Sequence, residues 1–280
     1  MTEPIAPGWH GILNLTYAPQ NGKTKIVDKY ARSPFKIQRP FYPAGEDICQ
    51  SVALHTAGGM VGGDRLSQTL HLKQNSRVLF TTAAASKIYR SAGKTATQTV
   101  DIRIESGAHF EYFPRETILF NGAIYRQDMR VELEPGATWL GWEIVRFGRW
   151  ARGEQFLNGE WRSHTEVWQN GSPLWIDRQW LPGDRGILES PHGLGGWPVV
   201  ATLVWVGQPA TEDALNNVRI LWNQRGAKGE AGATQLLSGL LCRYRGPSTG
   251  DAIAWFTEIW QRLRPNSAGQ KIAPPRVWNV

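Results

Sequence analysis

The sequence has only two cysteines, Cys49 and Cys242. That is too few for a disulfide framework or an all-cysteine zinc site, and it fits a reducing cytoplasm. Long apolar runs are also missing. The longest, Pro198 to Gly207, is about half the length of a membrane span. Met1 to Pro7 has no basic stretch followed by an apolar core, so it does not read as a signal peptide. The formal net charge is +7, yet no run of four Lys or Arg occurs. The bases therefore read as a scattered, solvated surface rather than a nucleic-acid stripe. Disorder is excluded as well, with 41% hydrophobic and 20% charged residues.

Catalytic signatures are equally sparse. The six histidines show no close metal-ligand spacing. There is no nucleophile elbow, and nothing brings two carboxylates together. The sharpest local feature is His55-Thr56-Ala57-Gly58-Gly59-Met60-Val61-Gly62-Gly63-Asp64. Its glycine pairs, Gly58-Gly59 and Gly62-Gly63, permit close backbone approach. It lacks the Lys-Ser/Thr of a phosphate-binding loop and the dinucleotide spacing. It reads as a tight pair of bulges or as a loop presenting His55 or Asp64 inward. A second feature, Ala83 to Ser91, joins three alanines to Lys87, Tyr89 and Arg90 and reads as a crowded bend with solvated bases or as an interface motif.

What the chain does have is glycine, tryptophan and alternation. Of 280 residues, 30 are Gly and 14 are Trp. From Ile12 to about Leu181 the dominant period is two, as in Val100 to Ile104 and Met129 to Leu133, which marks half-buried strands. Turn signals follow, among them Asn21-Gly22, Ser106-Gly107, Pro135-Gly136 and Asn170-Gly171. A faint repeat places Ser76, Ala108 and Ala137 at turn exits. Repeats of this kind predict stacked β layers, a solenoid or double-layered sheet, with a sandwich of similar hairpins as the alternative. Most of the tryptophans are expected in the core, with a minority exposed.

The last third differs. Thr211 to Trp222 places Leu215, Val218, Leu221 and Trp222 on one helical face, with Thr211 as N-cap. Ser248 to Asp251 opens a second helix that Pro265 ends. Val199 to Val206 and Gln235 to Tyr244 read as strands. The expected organisation is a β-rich body over 1–195 and a strand-helix-strand-helix part over 196–280 packed on it as one continuous domain. The predicted class is mainly β, a stacked solenoid-like body with a few C-terminal helices.

Five ordered segments carry a resemblance. They are Gln38 to Pro43, Ala57 to Asp64, Ala85 to Ser91, Glu111 to Thr117, and Gly148-Arg149 with Gly153-Glu154. Together they resemble the urease accessory protein family UreD, called UreH in some organisms, over nearly the whole chain. One departure is Thr56-Ala57, where many members have Pro-Pro, a difference in loop stiffness more than chemistry. The resemblance implies a non-enzymatic chaperone of urease maturation with a mainly β body. Its implied partners are the urease apoprotein subunits, UreF and, through UreF, the GTPase UreG, and its implied task is support of nickel delivery. It implies neither a nucleic-acid nor a membrane partner. A reading from another class, a β-solenoid carbohydrate-active enzyme or lectin for an acidic polysaccharide, rests on the tryptophan content and the positive charge.

A nickel path needs weak, releasable ligands rather than a closed His/Cys cage. No preformed metal site or tightly bound cofactor is predicted, only transient nickel. The candidates are Asp64 after the glycine loop, His55 before it, and Asp177. Alternation in Pro173 to Leu181 leaves Asp177 or Arg178 as the charge that points inward.

Overall fold

A computed structural model describes residues 8–264 and 273–278; Met1 to Pro7 and Pro265 lie outside the described residues. Strands β1 (His10–Gln20), β2 (Lys23–Arg32), β3 (Phe35–Ile37), β4 (Ile48–His55), β5 (Arg65–Leu72) and β6 (Arg77–Thr82) open the chain. They are followed by β7 (Ser86–Ile88), β8 (Ala96–Ile104), β9 (His109–Phe113), β10 (Thr117–Leu119), β11 (Ile124–Leu133) and β12 (Thr138–Phe147). Next come β13 (Glu160–Gln169), β14 (Ser172–Pro182), the short helix α1 (Arg185–Glu189) and β15 (Val199–Val206). The chain closes with α2 (Glu212–Arg225), β16 (Glu230–Leu236), β17 (Gly239–Gly246) and α3 (Thr249–Leu263).

The strands form two sheets. The first is ordered β14-β13-β11-β8-β5-β1-β2, and the second β16-β17-β15-β12-β9-β6-β4-β3, with β10 and β7 attached to β12. From β4 to β13 the long strands alternate between the sheets, each pairing in parallel with the strand one coil away. Among the described residues the fold is a mainly β solenoid of about four turns with three helices, mostly toward the C-terminus.

Local chemistry explains the coiling. In the turns after β5, β8 and β11, Asn75, Gly107 and Gly136 take left-handed φ values of 59°, 69° and 79°. Ser76, Ala108 and Ala137 follow them and are fully buried. The N–H of His109 donates to Ser76 O at 2.8 Å, and that of Thr138 donates to Ala108 O at 3.1 Å. The small repeat residues are thus where consecutive coils touch, and a larger side chain would push the coils apart. At both ends of the first sheet an Asn-Gly pair with two positive φ angles, Asn21-Gly22 and Asn170-Gly171, closes a hairpin.

One core fills the space between the sheets and a second lies between the second sheet and helices α2 and α3. The middle of the second sheet is covered on both faces, so β12 and β15 read as near-continuous apolar runs. In β12, Trp139, Val145 and Phe147 join the inter-sheet core, while Leu140, Trp142 and Ile144 face the helices. Thr211 and Ser248 are the expected N-caps; their side chains accept from Ala214 N and Asp251 N. Trp139, Trp142 and Trp161 are buried, while Trp150 and Trp180 are exposed.

One strand assignment is corrected. Gln235 to Tyr244 is not a single strand. It spans the tip of the β16–β17 hairpin, where Leu236 pairs with Gly239 and Leu237 stands almost wholly in solvent. The last third is strand, helix, hairpin, helix. The apolar residues flanking the tip hid the reversal, because no Asn-Gly or Pro-Gly marks it.

Candidate functional site

The inward-facing residues of the first sheet form columns across the coils. Leu15, Leu70, Ile102, Val131 and Val167 make one wholly apolar column near the turns. Farther from the turns the composition changes. Leu66, Gln98, Gln127, Ser163 and Gln179 are in register, as are Leu13, Gln68, Val100, Met129, Thr165 and Asp177. Around these polar columns lies a cavity of about 370 Å³, lined among others by His55, Gln68, Gln98, Tyr112, Gln127 and Glu143. Its border includes Gly58, Ala84 and Lys87, which are exposed.

Among the described residues, Glu143 is the one carboxylate lining the cavity. It stands on β12 on the inward face that also carries Trp139, Val145 and Phe147. One of its oxygens accepts from Gln127 Nε2 at 2.9 Å, and both accept from Ser163 Oγ at 2.9 Å. Burial pushes its carboxyl up to about 7; the Asp177 charge raises it further, while the Ser163 bond and the Arg243 charge oppose the rise. Tyr125 O–H donates to Gln98 Oε1 at 3.2 Å and to Gln127 Oε1 at 3.3 Å, so the glutamines are oriented by the wall. Burial lowers the His55 pKa and the Asp64 charge partly offsets this.

The candidates named from sequence divide by environment. His55 lines the cavity at the end of β4. Asp177 is the inward member of its pair, while the Arg178 side chain is 72% exposed. Asp177 is not a free carboxylate: it accepts from Arg243 Nη2 and Gln179 Nε2, each at 2.7 Å. Asp64 lies outside the cavity lining and holds a turn together, accepting from the N–H groups of Trp9 and Val61, both at 2.9 Å.

The glycine loop and the alanine-rich segment prove to be two halves of one structure. Met60 N donates to Lys87 O at 2.8 Å and Tyr89 N to Met60 O at 2.9 Å. A side chain at Gly59 would put its Cβ 2.6 Å from Lys87 O, and one at Gly62 would put it 2.5 Å from Lys94 O. Close approach is therefore the requirement at these glycines. Gly58 borders the cavity, and Gly63 packs beside Lys94. Tyr89 packs edge-on against Phe120, over which lies the Arg149 guanidinium, itself paired with Glu154. Arg90 packs on Gly122. Ser86 N donates to Glu116 O, and Pro114 and Arg115 line the cavity. Four of the five segments that carried the resemblance thus converge on the polar end of the solenoid.

Sequence reading missed Glu143 and the glutamines. The signal was present: Glu143 is the acid inside Trp139 to Phe147, a run otherwise apolar but for Arg146, and Gln127 holds the same phase as Tyr125 and Met129. Among the described residues, no group of three or more His, Cys, Asp or Glu side chains is placed to hold a metal ion. No helix among them is long and apolar enough to cross a membrane.

The fold and the site define a β-solenoid whose recurrent segments gather around a polar internal cavity. The sequence profile of the family described as UreD urease accessory protein matches residues 10–279. The chain is 57% identical over 279 residues to urease accessory protein UreD of a Nostoc species, covering 100% of this chain and 99% of the relative. It is 51% identical to the UreD protein of Acaryochloris marina, covering 96% of this chain and 95% of the relative. With that of a Synechocystis species it shares 40% identity, covering 94% and 97%. The chain belongs to the UreD family of urease accessory proteins, which are non-catalytic and serve urease maturation. This leaves no place for the polysaccharide-enzyme alternative.

Proposed function

We propose that this chain is a cytoplasmic scaffold that holds apo-urease together with UreF, and through UreF the GTPase UreG, while nickel passes through its internal cavity. The observation that carries the cavity reading is Glu143, set among Gln98, Gln127 and Ser163 at the polar end of the solenoid. Amide, hydroxyl and single carboxylate oxygens bind a nickel ion weakly enough to release it, whereas a closed imidazole or thiolate cage would retain it. His55 stands beside the exposed border, where its lowered pKa keeps the imidazole neutral and able to donate a lone pair at neutral pH. Asp177, held by Arg243, stands near Glu143, and the two charges act on it in opposite directions. Nickel is cargo in this reading, with no resident ion, and neither nucleic acid nor membrane is involved.

The test is reconstitution of urease with its accessory proteins under limiting nickel. Glu143→Ala is expected to assemble the complete complex yet leave the matured urease with less nickel and less activity. Wild-type nickel content and activation rate in that variant would overturn the cavity route.

A further inference from the structure

The formal net charge of +7 is not spread evenly over the molecule. At the last coil the arginines are matched: Arg178 lies beside Glu166, Arg243 pairs with Asp177 and Arg245 with Glu230. The outer face of the first sheet is zipped in the same way, by Arg126 with Asp128, Arg130 with Glu132 and Arg162 with Glu160. The first coil is different.

Its open end is bordered by two runs of chain. β2 is the edge of the first sheet, and residues 35–41 line β4 at the edge of the second, through β3 and a bridge between Phe41 and Gln50. The runs join through Ser33-Pro34, and at their other end Tyr42 O–H donates to Thr24 O at 2.9 Å. Lys29, Arg32, Lys36 and Arg39 are exposed along this border and Lys25 is half-buried. None of the five pairs with a carboxylate among the described residues; Arg32 donates Nε–H to the carbonyl of His10. The neighbouring acids Glu46 and Asp47 are taken by Lys23 and Arg77, which leaves Asp28 as the one unpaired carboxylate on the two runs. Between the cations Val27, Tyr30 and Phe41 are 43%, 52% and 48% exposed. Edge protection explains only part of this. A lysine or two on β2 deters pairing with a foreign strand, but that does not call for Lys36 and Arg39 on the other run, nor for apolar side chains left in water between them.

We infer that the first-coil end of the solenoid, bordered by β2 and residues 35–41, docks an acidic face of a protein partner. Unpaired cations on one surface attract and orient an opposite charge, and the exposed Tyr30, Val27 and Phe41 supply the apolar contact that anchors an interface. Asp28, in the middle of β2, favours a protein face of mixed sign over the uniform charge of a nucleic-acid backbone or a lipid headgroup layer. A second copy of this chain docking through the same face would set these lysines against their own copies, and like charges brought together reject a partner. The inference rests on the reading of this chain as one member of a multi-protein assembly and is independent of the nickel route.

The test measures association of the full chain with purified apo-urease and with purified UreF, the two direct partners proposed above, by biolayer interferometry. Lys29→Glu combined with Lys36→Glu is expected to weaken binding of one of these proteins at least about tenfold, with an unchanged melting curve. Arg152→Glu combined with Lys228→Glu, at exposed positions away from this end, changes the net charge equally and should leave binding of that same protein unchanged. Raising the salt from about 0.1 M to about 1 M should weaken wild-type binding and affect the Lys29→Glu, Lys36→Glu variant much less. Tyr30→Ala should weaken binding at both salt concentrations. Wild-type affinity of the Lys29→Glu, Lys36→Glu variant for both proteins overturns the inference and leaves the partner reading standing. Equal losses in the two double variants overturn it as well, because net charge alone would then be acting. A wild-type chain that binds neither protein overturns the partner reading and the inference with it. Binding to phosphatidylglycerol vesicles or to a DNA duplex, lost in the Lys29→Glu, Lys36→Glu variant while protein binding is retained, would make that ligand the occupant and overturn it too.

Discussion

The same inward-facing strands build two different interiors. Near the turns, the columns through Leu70 and Ile102 are apolar from coil to coil and close-packed. A few residues away, the columns through Gln98 and Gln68 surround open space and a carboxylate. Close packing of Leu, Ile and Val supplies stability, while buried glutamine and glutamate contribute little once their desolvation is counted. The comparison teaches that the turn end holds the solenoid together, and that the opposite end is kept polar at a cost in stability. The cavity end is braced from outside instead. Trp278 packs against Phe113, Trp142 and Trp260, donates Nε1–H to Thr81 Oγ1 at 2.9 Å, and its neighbour's carbonyl, Val277 O, accepts from Arg115 Nη1.

The largest expected effect tests that brace. Trp278→Ala removes a large buried ring from an aromatic box and is expected to cost about 3–5 kcal/mol, read as a lower urea midpoint. A shift within error would mean that the tail adds nothing to the cavity wall. Next comes the turn end itself. Ile102→Ala, at a position 2% exposed, is expected to cost about 2–5 kcal/mol. Gln98→Leu, inside the cavity, should change stability by no more than about 1 kcal/mol. Equal losses at the two sites would erase the distinction between the two interiors.

The third effect is a pH dependence. The Glu143 carboxyl is raised from an ordinary 4.5 to about 7. Between these values the native chain holds a proton that the unfolded chain has released. The stability due to this group is therefore fully present below pH 4.5 and is lost as pH rises through about 7. Discounted for its partial contact with cavity water, the loss is on the order of 1–3 kcal/mol. Glu143→Gln should flatten that slope in urea denaturation at pH 5 and pH 8, whereas Ile102→Ala should lower both values alike. An unchanged slope in Glu143→Gln would place the proton elsewhere.

Much of this architecture was legible in the sequence because it is local. Period-two runs, Asn-Gly turns and the small residues Ser76, Ala108 and Ala137 each follow from a single strand or turn, and both helix caps could be read directly. The site was legible only in pieces. Its motifs lie as far apart as Ala57 and Glu154 and meet only because coils stack in register, which no segment encodes alone. Glu143 escaped because a lone acid in an apolar strand can face either side. Only the covering of the second sheet by α2 and α3 fixes which face is which. The β16–β17 hairpin was misread for the complementary reason: its tip carries Leu237, an apolar residue where turn chemistry was expected.

The smallest effect concerns Asp64, which the sequence offered as a path residue and the structure ties to the backbone. Its two oxygens are each occupied by an N–H group, those of Trp9 and Val61, as in a capping interaction. It joins the glycine loop to the chain just before β1 without entering the cavity. Asp64→Ala is therefore expected to cost about 1 kcal/mol, the usual value of a lost cap. Asp64→Asn keeps an oxygen for one of the two bonds and should recover part of that loss. Asp64 also supports His55 electrostatically, so its removal should lower the His55 pKa slightly, a shift that imidazole NMR titration reads directly. If the role is structural, urease activation should fall in Asp64→Ala only as far as stability does and recover at lower temperature. If nickel content instead falls at a temperature where the variant is fully folded and assembled, the route runs past the glycine loop. The polar end of the solenoid would then extend its function to a residue that packing alone would class with the turns.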